Sequence, residues 1–275
     1  MISEKQLFDN IKTLKNYASH DLGQNFLSNP NIAKTIVSML EIDNTDDVLE
    51  IGAGFGALSY YVVNSDAKSV VLDDVDLRSI TFLEENLKKD NVEIIKKSAL
   101  KISLDIYTKI IGNLPYYLTS DLLEKTFVKS IKCRKFVYMV QKEVFDKLRA
   151  KTSEDGYGPL SIFIKTIGDI TDFLHVRRNE FIPAPHVDST VFVVTKERFL
   201  DEKVATSYMY YLKKMFIHRR KTIMNNLSQY LKNKIEAATY LKKAEISPNT
   251  RPEDISPTQY INLFEILSGI SINCW

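Results

Sequence analysis

The stretch VLEIGAGFGALS, residues 48 to 59, constrains this chain more than any other. The whole sequence has nine glycines, and Gly52, Gly54 and Gly56 fall together directly behind a short apolar run. Glycines there let the backbone turn tightly and approach a ligand closely, and a following helix adds its N-terminal dipole and free N–H groups. The spacing is GxGxG rather than the dinucleotide pattern GxGxxG, so an adenosyl cofactor without a pyrophosphate fits better. In such sites an acid about 20 residues on, at the end of a second strand, receives ribose hydroxyls. Here VVLDDVD supplies Asp74, 22 positions after Gly52. Asp73 stands beside it on the opposite face of a strand; Asp74 is preferred, and both remain candidates.

Around this stretch, short apolar runs alternate with helical patterns: VLEI (48–51), SVVL (69–72), VEII (92–95), YTKII (107–111), KFVYMV (135–140), LSIFIKTI (160–167) and STVFVV (189–194). That alternation predicts an α/β fold with a largely parallel sheet, closed by antiparallel strands. ALSYYVVNS reads as a helix, as does LRSITFLEENLKKD, with Ile80, Leu83 and Leu87 on one stripe. Past about Leu200 the pattern becomes helix after helix, with Tyr208, Tyr211, Leu212, Met215 and Phe216 at helical spacing. This predicts a catalytic domain over 1–198 and a small all-helical domain over 199–275. Ser256 and Pro257 read as the N-cap and first residue of a final helix.

A hydrophobic fraction of 44% and a charged fraction of 26% are those of an ordinary globular chain. No apolar run approaches the ~20 residues that span a bilayer, and the first residues show no secretory signal, so a cytoplasmic location is expected. Cys133 and Cys274 are too few and too far apart for a thiolate metal site, and four scattered histidines add no metal spacing. Net charge is +2, but it is unevenly spread. Residues 205–243 hold Lys213, Lys214, Arg219, Arg220, Lys221 and four further lysines against the single acid Glu236, a surface suited to a polyanion such as nucleic acid.

GNLPYYL, residues 112 to 118, closes the fourth apolar run at the carboxyl edge, where open α/β sheets bind ligands. Pro115 has no N–H and keeps Leu114 extended, leaving carbonyls free. Asn113 adds a side-chain oxygen. An exocyclic amine on an aromatic base is a poor nucleophile because its lone pair is delocalised into the ring. Two acceptors on its hydrogens favour the tetrahedral form, in which the lone pair is free to meet a methyl group. Tyr116 offers a face on which the base can stack.

Five stretches together, LGQNFLSNP (22–30), LEIGAGFGALS (49–59), GNLPYYL (112–118), FIPAPHVDS (181–189) and HRRKTIMNNL (218–227), resemble the KsgA-type (RsmA) ribosomal RNA small subunit adenine dimethyltransferases. The resemblance implies a Rossmann-like class I methyltransferase sheet with a helical domain after it. It implies S-adenosylmethionine-dependent dimethylation of N6 of two adjacent adenosines in the 3′-terminal hairpin loop of small-subunit RNA, within an immature 30S particle, by a monomer without metal. By the same resemblance Gln24, Asn25, Leu27, Gly52, Gly54, Asp74 and Asn113 hold the cofactor. Asn113 also meets the target amine, Leu114 and Pro115 form the active-site turn, and Tyr116 and Phe181 flank the adenine. Lys213, Lys214, Arg219, Arg220 and Lys221 are the expected RNA contacts.

The sequence also departs from the pattern. Ser98 stands where the family has an acid for the cofactor adenine, and a neutral acceptor is weaker than a charged one. Ser19, His20 and Asp21 replace the basic residues expected before the Gly-Gln pair, and His186 stands where a lysine is frequent. Three other functions use similar parts: an Erm-type large-subunit RNA methyltransferase, an assembly factor whose binding role dominates, and a DNA adenine methyltransferase. Leu114 in place of a first proline weighs against the last.

Overall fold

The computed structural model describes residues 2–14 and 24–272. Ser19, His20, Asp21, Leu22, Gly23 and Cys274 lie outside the described residues. The chain divides into two units: residues 1–145 with 170–195, and residues 146–169 with 196–275.

The first unit is built on a seven-stranded sheet. Its strands are β2 (Asp47–Ile51), β3 (Ser69–Asp74), β4 (Val92–Lys96), β5 (Lys109–Asn113), β6 (Lys135–Gln141), β7 (Gly168–Val176) and β9 (Ser189–Lys196), in spatial order β4-β3-β2-β5-β6-β9-β7. The first five are parallel and β9 runs antiparallel to β6. Strand order reverses beside β2, so the carboxyl ends of β2, β3 and β5 open onto a crevice. Val48, Leu49, Val70, Leu72, Ile110 and Ile111 are buried, as a strand covered on both faces requires.

Helix α1 (Glu4–Thr13) starts with a capping box between Ser3 and Gln6 and buries Leu7, Phe8 and Ile11 in the core. Short strands β1 (Phe26–Leu27) and β8 (Phe181–Ile182) pair antiparallel, which ties the NFL segment to the FIPAP segment. Helix α2 (Pro30–Ser38) is capped by Asn29, whose side-chain amide also donates to Glu180 at 2.8 Å. Helix α3 (Ser59–Val63) follows the glycine stretch. Helix α4 (Leu77–Leu87) buries Ile80, Leu83 and Leu87 as their spacing predicts. Gly112 is required by close packing, because a Cβ there would stand 2.7 Å from the carbonyl oxygen of Ile51.

The second unit gathers α7 (Pro159–Ile167), α8 (Glu202–Met215), α9 (Ile223–Leu231), α10 (Lys234–Lys243) and α11 (Pro257–Ser268). Its core is aromatic: Tyr208 meets Phe264 edge-on at 5.0 Å, and Tyr211 lies 5.4 Å from the same ring. Ser256 caps α11 with Gln259 as its box partner and Pro257 in first position, as expected. The LSIFIKTI run, expected as a strand, is α7. Pro159 at its start and the Gly158–Ser161 hydrogen bonds nucleate a helix, and nearly all of its side chains are buried, which erases the amphipathic period. This helix groups with the C-terminal ones, so the second unit begins at 146 and resumes at 196 rather than starting at 199.

Candidate active site

At the end of β2 the chain turns through Gly52, whose φ of +70° a side chain would resist; a Cβ there would lie 3.6 Å from the carbonyl oxygen of Asn113. The glycine loop is then clasped from β3. Gly54 N–H donates to Asp74 Oδ2 at 2.7 Å, and Asp76 N–H donates to Asp74 Oδ1 at 2.8 Å. Asp76 in turn accepts Gln24 Nε2 at 3.0 Å and pairs with Arg78 at 2.6 Å. The Arg78 guanidinium holds the Asp76 carboxyl down at about 2.

The neighbouring acids behave in the opposite way. Burial pushes Glu50 up to about 8, against nearby Ser59, and its Oε2 has no hydrogen-bond partner. Burial, followed by the charge of Asp74, pushes Asp73 up to about 8 as well. Asp74 is also raised by burial, although the N–H groups of Asp76 and Gly54 oppose the rise. Three carboxyls held above their ordinary values around one pocket mark a place built for something other than stability.

Strand β5 delivers the NLPY turn to the same pocket. Asn113 Nδ2 donates to the carbonyl oxygen of Asn25 at 3.1 Å, and this orients the amide so that Oδ1 is left to accept. Leu114 N–H donates to Met139 O at 3.1 Å, whereas the Leu114 carbonyl accepts no bond among the described residues. Pro115 O is consumed by Leu118 N–H and Thr119 Oγ1. The free acceptors expected of this turn are therefore Asn113 Oδ1 and Leu114 O. Tyr116, partly buried, has its hydroxyl 3.4 Å from Ser189 Oγ, and burial raises its phenol.

The pocket collects Gln24, Asn25, Leu27, Gly52 and Gly54 with Asp74, Ser98 and Asn113, and it adds Leu114, Pro115 and Tyr116 from the turn. Every expected cofactor residue lines it. Ile11, Glu50, Asp73, Tyr117 and Leu122 also line it and had not been singled out as site residues from sequence, apart from Asp73 as an alternative to Asp74. A carboxylate within LEIG could have been noticed, but nothing in the sequence announces Ile11. No Lys, Arg or His is among the described residues lining the pocket. A pyrophosphate would find no cation among them, while a cationic sulfonium would meet no like charge there. The donor set therefore fits S-adenosylmethionine.

Phe181, expected beside the target adenine, is 2% exposed where β8 pairs with β1 and is not among the described residues lining this pocket. Arg219, expected to contact RNA, also pairs within the protein: its Nε lies 2.9 Å from Glu253 Oε2 and its Nη2 lies 4.0 Å from Asp155 Oδ1. Lys213, Arg220 and Lys221 are exposed, and Lys214 Nζ sits 4.9 Å over the ring of Tyr210.

The sequence profile described as "Ribosomal RNA adenine dimethylase" matches residues 15–268. The chain belongs to that family. It is 37% identical over 264 residues to "Ribosomal RNA small subunit methyltransferase A" of Malacoplasma penetrans (strain HF-2), covering 94% of this chain and 96% of the other. It is 36% identical over 249 residues to the protein of the same name from Mycoplasma mobile, covering 90% and 95%. Among solved structures, a dimethyladenosine transferase from Plasmodium falciparum superposes with a TM-score of 0.74 at 23% identity, over 89% of this chain and 98% of that one. The 23S rRNA methyltransferase ErmE superposes at 0.65 with 22% identity, over 88% and 99%. At those identities the two structures establish the fold, a Rossmann-like class I methyltransferase sheet, and the sequence relatives establish the family.

Proposed function

We propose that this protein transfers methyl groups from S-adenosylmethionine to N6 of two adjacent adenosines in the 3′-terminal hairpin loop of small-subunit ribosomal RNA. It acts as a monomer, without metal, on an immature small-subunit particle in the cytoplasm. The observation that carries this reading is the Asn113 amide, fixed by Asn25 with its oxygen free beside the free carbonyl of Leu114. When bound, S-adenosylmethionine supplies an electrophilic methyl group.

The protein's part is to prepare the amine. Asn113 Oδ1 and Leu114 O accept its two hydrogens, which favours the tetrahedral nitrogen and releases the lone pair from the ring. Tyr116 offers its face to the unstacked base, as enzymes acting on a base require. The methylated amine is cationic and gives its proton to water, so no strong base is needed. Asp74 supplies hydrogen-bond acceptors for the cofactor, and Glu50, which keeps its proton up to about 8, lines the same pocket. The exposed Lys213, Arg220 and Lys221 hold RNA phosphates.

The test is to incubate the protein and labelled cofactor with immature small and large subunits separately, then map methylated adenines by mass. N6,N6-dimethyladenosine in small-subunit RNA alone is expected; label only in large-subunit RNA would establish the Erm-type alternative. Asn113→Ala should lower the rate by roughly 10²–10³-fold, as loss of one oriented polar group typically does. If that variant left transfer unchanged, the turn would not be the catalytic centre.

A further inference from the structure

Asp73 is 2% exposed and lines the pocket, yet its Oδ1 has no hydrogen-bond partner among the described residues. A buried oxygen in that condition is uncommon, because an apolar side chain would cost less at the same place. The three residues before it in β3, Val70, Val71 and Leu72, are apolar and buried. Asp73 thus interrupts an apolar stretch, and the Lys97 backbone N–H that acts on its carboxyl still leaves Oδ1 without a partner among the described residues.

Its surroundings locate the use. Lys125 Nζ, from helix α5 (Thr119–Lys129), donates to the carbonyl oxygens of Ala99 and Ile102. The same ammonium acts on the Asp73 carboxyl. The carboxyl and the turn bearing Ser98 and Ala99 therefore share one neighbourhood, and both line the pocket. Asp74 is already engaged by two N–H groups, and the Ser98 hydroxyl makes no capping bond.

We propose that Asp73 reads the adenine ring of the cofactor, presenting its carboxyl to the N1 and N6 edge with Ser98 beside it. The proposal rests on the pocket being the S-adenosylmethionine site. Adenine offers an acceptor, N1, next to a donor, the N6 amine. A neutral carboxyl carries an O–H donor and a C=O acceptor side by side, the complement of that edge; a carboxylate offers acceptors only. The groups facing Asp73 are Asp74 on the same strand, Lys97 past β4, Lys125 on α5 and Tyr107 before β5. Burial and the Asp74 charge, opposed by the Lys97 backbone N–H and then by the charges of Lys125 and Lys97, keep Asp73 neutral until about 8.

Calorimetric binding of S-adenosylhomocysteine to the full chain tests this without any turnover. Wild-type affinity should fall about tenfold as pH rises from about 7 to about 9, the loss of one hydrogen bond. Asp73→Asn keeps a donor and an acceptor that do not titrate, so its affinity should match wild type at neutral pH and lose this pH dependence. Asp73→Leu should bind about tenfold more weakly at neutral pH. The ligand's own amino group titrates equally with all three proteins, so the differences between them are what count. Wild-type affinity in the Leu variant, or wild-type pH dependence in the Asn variant, would overturn the proposal. Should Leu fail to fold, as thermal unfolding would reveal, the Asn profile decides alone. Absence of any binding by the wild type would remove the cofactor reading itself.

Discussion

The two ends of strand β2 use the same residue types to opposite effect. At the amino end, Asp46 pairs with Lys109 at 2.6 Å and with Arg134 at 3.2 Å, Asp47 pairs with Lys68 at 3.1 Å, and Lys135 meets Glu41. Burial alone would raise Asp46, but Lys109, the Asp43 N–H and Thr108 hold it below the ordinary carboxylate range. The hydrogen bond from Ser69 does the same for Asp47, as that from Lys135 does for Glu41. Three residues on from Asp47, at the carboxyl end, Glu50 has no cation, and Asp73 and Asp74 beside it are likewise raised. One end neutralises its charges internally and contributes stability. The other leaves polar groups poised for a guest.

The sharpest break of this contrast is Asp46→Ala. It leaves Lys109 buried without its counter-charge and should cost about 3–5 kcal/mol in chemical denaturation while leaving affinity for S-adenosylhomocysteine unchanged in the folded fraction. A milder result would mean that the amino-end pairs are ornamental. At the other end Glu50→Gln should stabilise. The folded Glu50 keeps its proton up to about 8 whereas the unfolded one loses it near 4.5, so wild-type stability falls as pH rises between those values. Replacing it should flatten that slope and add roughly 2–3 kcal/mol at neutral pH, read from denaturation midpoints across pH. A slope equal to that of wild type would show Glu50 to be ionised in the folded protein. The smallest effect is expected from Ser98→Asp. A charged acceptor there should tighten S-adenosylhomocysteine binding by about tenfold or less; an unchanged dissociation constant would take Ser98 off the ligand.

Much of the fold was legible because strands buried on both faces announce themselves as apolar runs. That signal is also where the reading failed. LSIFIKTI is apolar on all sides as a buried helix, and the strand that follows it, GDITDFLHV, is half-exposed and polar enough to pass for a loop. Within the site, the glycine loop and the NLPY turn were readable because each needs special backbone chemistry at fixed spacing. The Arg219 ion pairs were not, since Asp155 and Glu253 lie far off in sequence and only folding joins them. The burial of Phe181 was not readable either, since its place beside prolines does not announce the pairing of β8 with β1.

The hydrogen bond between Asn113 and Asn25 joins residues 88 positions apart. It makes the aim of the oxygen proposed to hold the substrate a property of the segment entering β1, which also contributes Gln24 and Leu27 to the pocket. Any movement of that segment to exchange spent cofactor for fresh would let the amide swing out of alignment. One hydrogen bond thus ties the lining of the pocket to the aim of the acceptor, two parts of the site that the sequence keeps far apart.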